Sequence, residues 1–168
     1  MSKQSSAWLL DCGGGTRVAV ALPSLLHLIE DSSLLFRVPV VPRHLAQVLL
    51  WQQRVFPVVD LALQLTGSVP AGSRTYLCML GWRDGSEQSD YGALLVRELP
   101  RRIQIPDASL ATPTAPLAGQ WQGLAVTYFD WQGQVIPIIA PAALFEPAAR
   151  SERATGNAQA RRTDLRSA

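Results

Sequence analysis

The chain has 168 residues, enough for one domain or for two very small ones joined closely. Hydrophobic residues make up 48% and charged ones only 17%, which excludes a disordered chain, and no apolar run approaches the ~20 residues of a membrane span. The net charge of +2 is uneven: five arginines against Glu152 and Asp164 give Arg150–Ala168 a charge of +3 and leave the rest at −1, so the basic character belongs to the tail.

Twelve prolines and twelve glycines punctuate the chain and predict short elements. Trp8–Cys12 and Thr16–Leu22 flank Gly13-Gly14-Gly15 and predict a β-hairpin. No Gly-Lys-Ser/Thr follows those glycines, so they form a turn and not a phosphate loop. Pro23 and the spacing of Leu25, Leu26, Leu28 and Ile29 predict a short helix over Ser24–Asp31. Leu34–Val38 is extended. Leu45–Trp51 and Val55–Val59 form a hairpin around Gln52-Gln53. Asp60 is placed to cap a helix Leu61–Leu65 that Gly67 ends. Thr75–Trp82, Tyr91–Arg97 and Arg101–Ile105 are strands, and Asp107–Pro116 is a crossing loop. Gly123–Phe129 and Val135–Ile139 make a last hairpin, and Pro141–Phe145 a final helical turn. The expected domain spans 7–147, and 148–168 is expected to be a disordered basic tail.

The chain also matches itself. Trp51-Gln52-Gln53-Arg54-Val55-Phe56-Pro57-Val58-Val59 aligns with Trp131-Gln132-Gly133-Gln134-Val135-Ile136-Pro137-Ile138-Ile139 without a gap. Each copy sets a polar turn before a strand with an internal proline, then a short helix. Such a repeat predicts two small barrels of about five strands, with Pro57 and Pro137 where a barrel closes or bends. The fold class is therefore all-β: two small five-stranded SH3-like barrels packed together, with a few short helices.

Catalytic chemistry finds no foothold. His27 and His44 stand in no evident relay, and Ser24 and Ser109 lack the Gly-x-Ser-x-Gly context. Cys12 and Cys78 are far apart and read as buried thiols in a reducing compartment. No catalytic residue, metal or cofactor is expected, and no small-molecule substrate. The basic residues are mostly not interleaved with the five tryptophans, as a single-strand binder would require, and the tryptophans read as core or hairpin-tip packing. Trp51 and Trp131, at equivalent turns, are placed to anchor an interface. The first apolar run, Ala7–Leu10, is too short for a signal peptide, so a cytoplasmic protein is expected.

Several segments together resemble the CheW family. They are Ala21-Leu22-Pro23, Leu28-Ile29-Glu30, Arg37-Val38-Pro39-Val40-Val41-Pro42, and Val55-Phe56-Pro57-Val58-Val59-Asp60-Leu61. Tyr91–Val96 and Val135–Phe145 extend the likeness across residues 7–146. The resemblance implies a non-catalytic adaptor of two five-stranded barrels. One surface would bind the regulatory domain of a CheA-type histidine kinase, itself a similar double barrel. The groove between barrels would bind the cytoplasmic tip of a chemoreceptor, in a chemotaxis or related twitching-motility array. The membrane would be met only through receptors. The sequence departs from the family where a glycine and an Arg-Gly pair are usual: Gln47 and Gln52-Gln53 stand there, and Arg97 stands where an aspartate is frequent. Leu26, Ile29, Glu30, Gln47, Trp51, Gln52 and Gln53 are the expected partner-binding residues. The rival reading is a nucleic-acid-binding double barrel that uses its basic tail.

Overall fold

The computed structural model describes residues 4–72, 74–83, 85 and 87–145. The predicted tail, 148–168, lies outside the described residues. In chain order the elements are β1 Gln4–Gly13, β2 Thr16–Ala21, β3 Leu25–Ile29, β4 Leu35–Arg37, β5 Gln47–Trp51, β6 Arg54–Val59 and α1 Leu61–Thr66. There follow β7 Tyr76–Arg83, β8 Ser89–Val96, β9 Arg101–Pro106, α2 Ala115–Gln120, β10 Ala125–Trp131 and β11 Gln134–Ile139. A helical turn occupies 141–145.

The strands form two curled sheets, β9-β1-β2-β11-β10 and β3-β7-β8-β6-β5-β4. Their orders match position for position. Each begins with a strand beside an antiparallel hairpin (β1-β2 or β7-β8), then steps across a parallel contact to a second hairpin. The parallel contacts are Ile138↔Ala19 in one sheet and Val58↔Ala93 in the other, and Val58 and Ile138 are equivalent in the sequence repeat. Even the extra strand has a remnant: Leu35 pairs with Leu49, and Leu110 bridges to Phe129, the repeat equivalent of Leu49. Pro57 and Pro137 stand one residue before the parallel contact, so their missing N–H groups fall outside it. The repeat is therefore a pair of barrels, but the chain does not divide between them at its midpoint. The middle strands build one barrel and the two ends of the chain build the other.

Two segments differ from the sequence reading. Residues 25–29 are a strand, not part of a helix, and Pro23 sits in a 3-10 turn at Leu22–Ser24. Four apolar residues in five satisfy either periodicity. The open edge of β7 supplies the antiparallel partner that decides for the strand. Within 107–116, read as a loop, a 3-10 turn forms at Asp107–Ser109, and α2 starts at Ala115 with a proline in its first turn.

Three apolar clusters follow from period-two alternation along the central strands. In β8, Ala93 and Leu95 face the interior of the six-stranded barrel, while Leu94 and Val96 face the space between barrels. In β7, Leu77 and Met79 face inward and Cys78 and Leu80 outward. Leu9 and Ala19 fill the other barrel, with Leu10, Val18 and Val20 turned to the shared layer. Strands buried on both faces need continuous apolar runs, and Leu77–Leu80 and Ala93–Val96 supply them.

Phe145 closes the shared layer. Its ring stacks on Trp82 at 4.8 Å with planes 4° apart, and it lies over Gly92 so closely that a Cβ there would stand 2.4 Å from a ring carbon. Gly92→Ala should therefore overpack this contact and destabilise the protein by about 1–3 kcal/mol, read from a urea denaturation midpoint. An unchanged midpoint would mean that the ring is free to move.

Burial also fixes the thiols. Cys78 is pushed up to about 12, and Cys12 is raised further by burial and then by the neighbouring Cys78. In the unfolded chain both return to the ordinary thiol range near 9.0. The folded state thus keeps protons that the unfolded state releases, so stability is full below pH ~9 and falls as pH rises through the folded values. Removing one thiol by Cys78→Ala should reduce that alkaline slope by about 1.4 kcal/mol per pH unit, measured by urea denaturation between neutral and alkaline pH. An identical slope in variant and parent would refute the assignment.

Candidate partner-binding site

The β5–β6 hairpin positions most of the expected residues. Gln52 and Gln53 both take positive φ, 48° and 61°, which gives the turn the twist of its flanking strands. The equivalent turn uses Gln132 and Gly133 at 53° and 80°. Glycine enters this conformation freely, whereas Gln53 enters it against its own Cβ.

Gln47, Leu49 and Trp51 share the inner face of β5. Leu49 is fully buried, and its neighbours emerge at opposite ends of the barrel. At the Trp51 end the rings form a chain. His27 lies 4.7 Å from Trp51, Trp51 lies 6.4 Å from Phe56, and Phe56 meets Tyr91 edge-on at 6.3 Å. The Arg54 guanidinium sits 5.4 Å from the Phe56 ring centre. Leu26, His27, Trp51, Gln52, Arg54 and Tyr91 border a cleft of about 340 Å³ at this end. Leu26 is 43% exposed and packs across Gly81, where a Cβ would lie 2.7 Å from its methyl carbon.

Three of the seven expected residues, Leu26, Trp51 and Gln52, thus come together. Ile29 does not join them: at 8% exposure it is a core side chain packed with Leu49 and Phe56. The expectation that it faces a partner came from the helical reading, whose geometry does not apply to β3. Glu30 and Gln53 are exposed but do not border the cleft. Gln47 lies at the other barrel end, in a separate cleft. His27, set aside in the sequence reading, is part of the site. Alternation along β3 would have placed it on the face of Ile29 had the segment been read as a strand.

Next to this cleft lies an uncovered apolar face. On the outside of β4, β5 and β6, Phe36 pairs with Val48, Val48 with Pro57, and Leu50 with Val55. Phe36 is 51% and Val55 65% exposed, and Leu50 and Pro57 are exposed as well. The equivalent face of the other barrel is treated differently. Asp130 replaces Leu50, Pro137 is buried, and Tyr128 packs against the cluster that contains Trp121. Leu117 and Trp121 border the same small cleft as Val135 and Pro137. The chain covers the Tyr128 and Pro137 part of one of its two equivalent faces, with Val126 and Asp130 still exposed, and leaves the apolar part of the other open, as interaction surfaces are left.

Among the described residues there is no group of three or more His, Cys, Asp or Glu side chains placed to hold a metal ion, and no helix is long and apolar enough to cross a membrane. Burial lowers the His44 pKa below the ordinary imidazole value, against the opposing pull of Asp60.

A protein-family model described as the CheW-like domain matches residues 8–149. Among solved structures, the scaffolding protein TtCheW from Thermoanaerobacter tengcongensis superposes with a TM-score of 0.70 at 14% identity, covering 86% of this chain and 90% of its own. No curated protein sequence matches the chain.

Relieving the left-handed strain at the hairpin tip is a direct test of its geometry. Gln53→Gly should stabilise the fold by about 0.5–1 kcal/mol and raise Tm by about 2–4 °C in a thermal melt. A fall in Tm would show that the Gln53 side chain makes a stabilising contact.

Proposed function

The chain belongs to the CheW-like domain family, and from that premise we propose that it is a non-catalytic scaffold coupling chemoreceptors to a CheA-type histidine kinase. The observation that carries this reading is the open apolar face of β4–β6. Exposed Phe36, Leu50, Val55 and Pro57, with half-buried Val48 between them, form an open apolar sheet surface, whereas on the other barrel Pro137 is buried and Tyr128 packs into the core. The kinase's regulatory domain, a similar double barrel, presents strand-rich surfaces of the kind that such a face packs against. The cleft at Leu26, Trp51 and Gln52 adds an aromatic anchor with a polar rim and suits the receptor's helical tip. The array served is a chemotaxis system or a related surface-motility system, and the protein reaches the membrane through the receptors. A chemotaxis adaptor of this kind needs no turnover and no cofactor.

Calorimetric titration against the regulatory domain of the cognate kinase tests this reading. Saturable binding at about micromolar Kd is expected, unchanged in a chain ending at Pro147 and weakened at least ~10-fold by Val55→Glu, which sets a carboxylate in the apolar face. Binding that survives both Val55→Glu and Phe36→Asp at full affinity would remove this face from the interface. No binding at all would sink the kinase-coupling reading.

A further inference from the structure

The opposite end of the six-stranded barrel holds a second cleft, of about 460 Å³, whose chemistry is cationic. Arg37 of β4, Arg43 and Arg97 border it, together with Gln47, Ser32 and Thr75. Both oxygens of the carboxylate on its wall, Asp60, have a partner within the protein. Its Oδ1 accepts the Leu63 N–H at 3.1 Å and its Oδ2 accepts Arg97 Nη2 at 3.0 Å. That leaves two guanidinium charges, Arg37 and Arg43, with no ion-pair partner among the described residues.

Arg97 carries the argument. Its side chain is only 4% exposed, and its Nη1 is buried with no hydrogen-bond partner among the described residues. A buried guanidinium nitrogen without an acceptor is costly, and native interiors supply one. Here the unpartnered nitrogen belongs to a residue that borders a cavity large enough for a small molecule, whose wall sets the donors of Arg37, Arg43, Gln47 and Thr75 among apolar side chains such as Leu35 and Leu95. A guanidinium fork with one tine held by Asp60 and the other vacant is a geometry suited to an oxyanion.

We propose that this cleft binds a small free molecule bearing a phosphate or carboxylate group, with its oxyanion on Arg97 Nη1 and its remaining charge met by Arg37 and Arg43. The site lies at the far end of β5 from Trp51, so it stands independently of the docking surface. Ligand there would contact β4, β5, the α1 cap and the β8–β9 crossing at once, and would stiffen the barrel whose outer face is open.

The test uses the full-length protein and three probes, inorganic phosphate, pyrophosphate and citrate, each against chloride at matched ionic strength. Saturable amide shifts at Gln47, Thr75 and Arg97 are expected in NMR titrations with at least one probe. Arg37→Gln and Arg43→Gln should each weaken binding about fivefold or more while the protein stays folded by circular dichroism. Arg97→Lys, which keeps a cation beside Asp60 but loses the fork, should abolish the saturable component. The tail arginines contribute any nonspecific background, which none of these substitutions alters. Shifts no larger than those with chloride, or affinities indifferent to both surface substitutions, would overturn the proposal. In the first case water, or an acidic side chain from a bound protein, would be what satisfies Nη1.

Discussion

The buried pair between Asp60 and Arg97 fixes more of this molecule than any other single contact. Arg97 lies where the chain leaves the six-stranded barrel for the five-stranded one. Its guanidinium reaches back to Asp60 at the end of β6, and its backbone N–H donates to the Asp11 carbonyl of β1 at 2.7 Å. Asp60 in turn caps α1 and donates its own N–H to the His44 carbonyl at 3.0 Å. One ion pair thus holds the α1 cap, the 43–46 segment, β1 and the inter-barrel crossing in a single arrangement. Burying two charges is expensive, and a hydrophobic pair of similar volume would serve stability as well or better. Once buried, though, the pair cannot lose one member cheaply: the orphaned charge costs about 3–5 kcal/mol. The contact therefore works as a lock on geometry. Gly13 shows how tight the fit is, since a Cβ there would lie 2.7 Å from Arg97 Cγ.

That lock matters because the barrels have little else to define their relative position except apolar packing. The shared layer is made of alternate residues of β1, β2, β7 and β8, closed by Trp121, Leu144 and Phe145 from the C-terminal part. Apolar surfaces tolerate sliding, whereas the Arg97 N–H bond to the Asp11 carbonyl at 2.7 Å, on a residue held by its own ion pair, does not. A scaffold must present its surfaces at fixed angles, and here the ion pair within one barrel anchors Arg97, whose backbone N–H bonds across to Asp11 of the other. The open face of β4–β6 and the ring cluster at Trp51 belong to the same rigid barrel, so they move together when a partner pulls on either.

Much of this was legible beforehand, for identifiable reasons. The hairpin at Trp51–Val59 and its copy at Trp131–Ile139 declared themselves because turn, strand and internal proline recur in one order, and the parallel contacts at Val58 and Ile138 follow that order. The Asp60 cap was legible because capping is local, with donor and acceptor three residues apart. Other features depend on partners distant in sequence. Residues 25–29 satisfy helix and strand alike, and only the edge of β7 decides. The Asp60–Arg97 pair spans 37 residues with no motif to announce it. The scatter of the expected site has the same origin. Gln47 and Trp51 sit four residues apart on one face of β5, but a filled barrel separates its two ends, and Leu49 is the plug.

The departures from the family pattern acquire a physical meaning at those two ends. Gln52 stands at the hairpin tip where the resemblance implies a charged, forked side chain, and the cation near that turn is Arg54, held over the Phe56 ring at the root of the strand. An arginine at the tip can reach outward to an incoming carboxylate. One stacked on a ring has spent part of its freedom, and its charge is offered from inside the cleft. At the far end the balance runs the other way. Arg97 stands where the resemblance implies an acid, and Arg37 and Arg43 border the same cleft. Arg54 is thus the cation beside the hairpin tip, and three arginines border the opposite mouth of the barrel. The apolar face between them is uncharged, so what a partner meets there is decided by shape and by burial, while charge selects at the two rims.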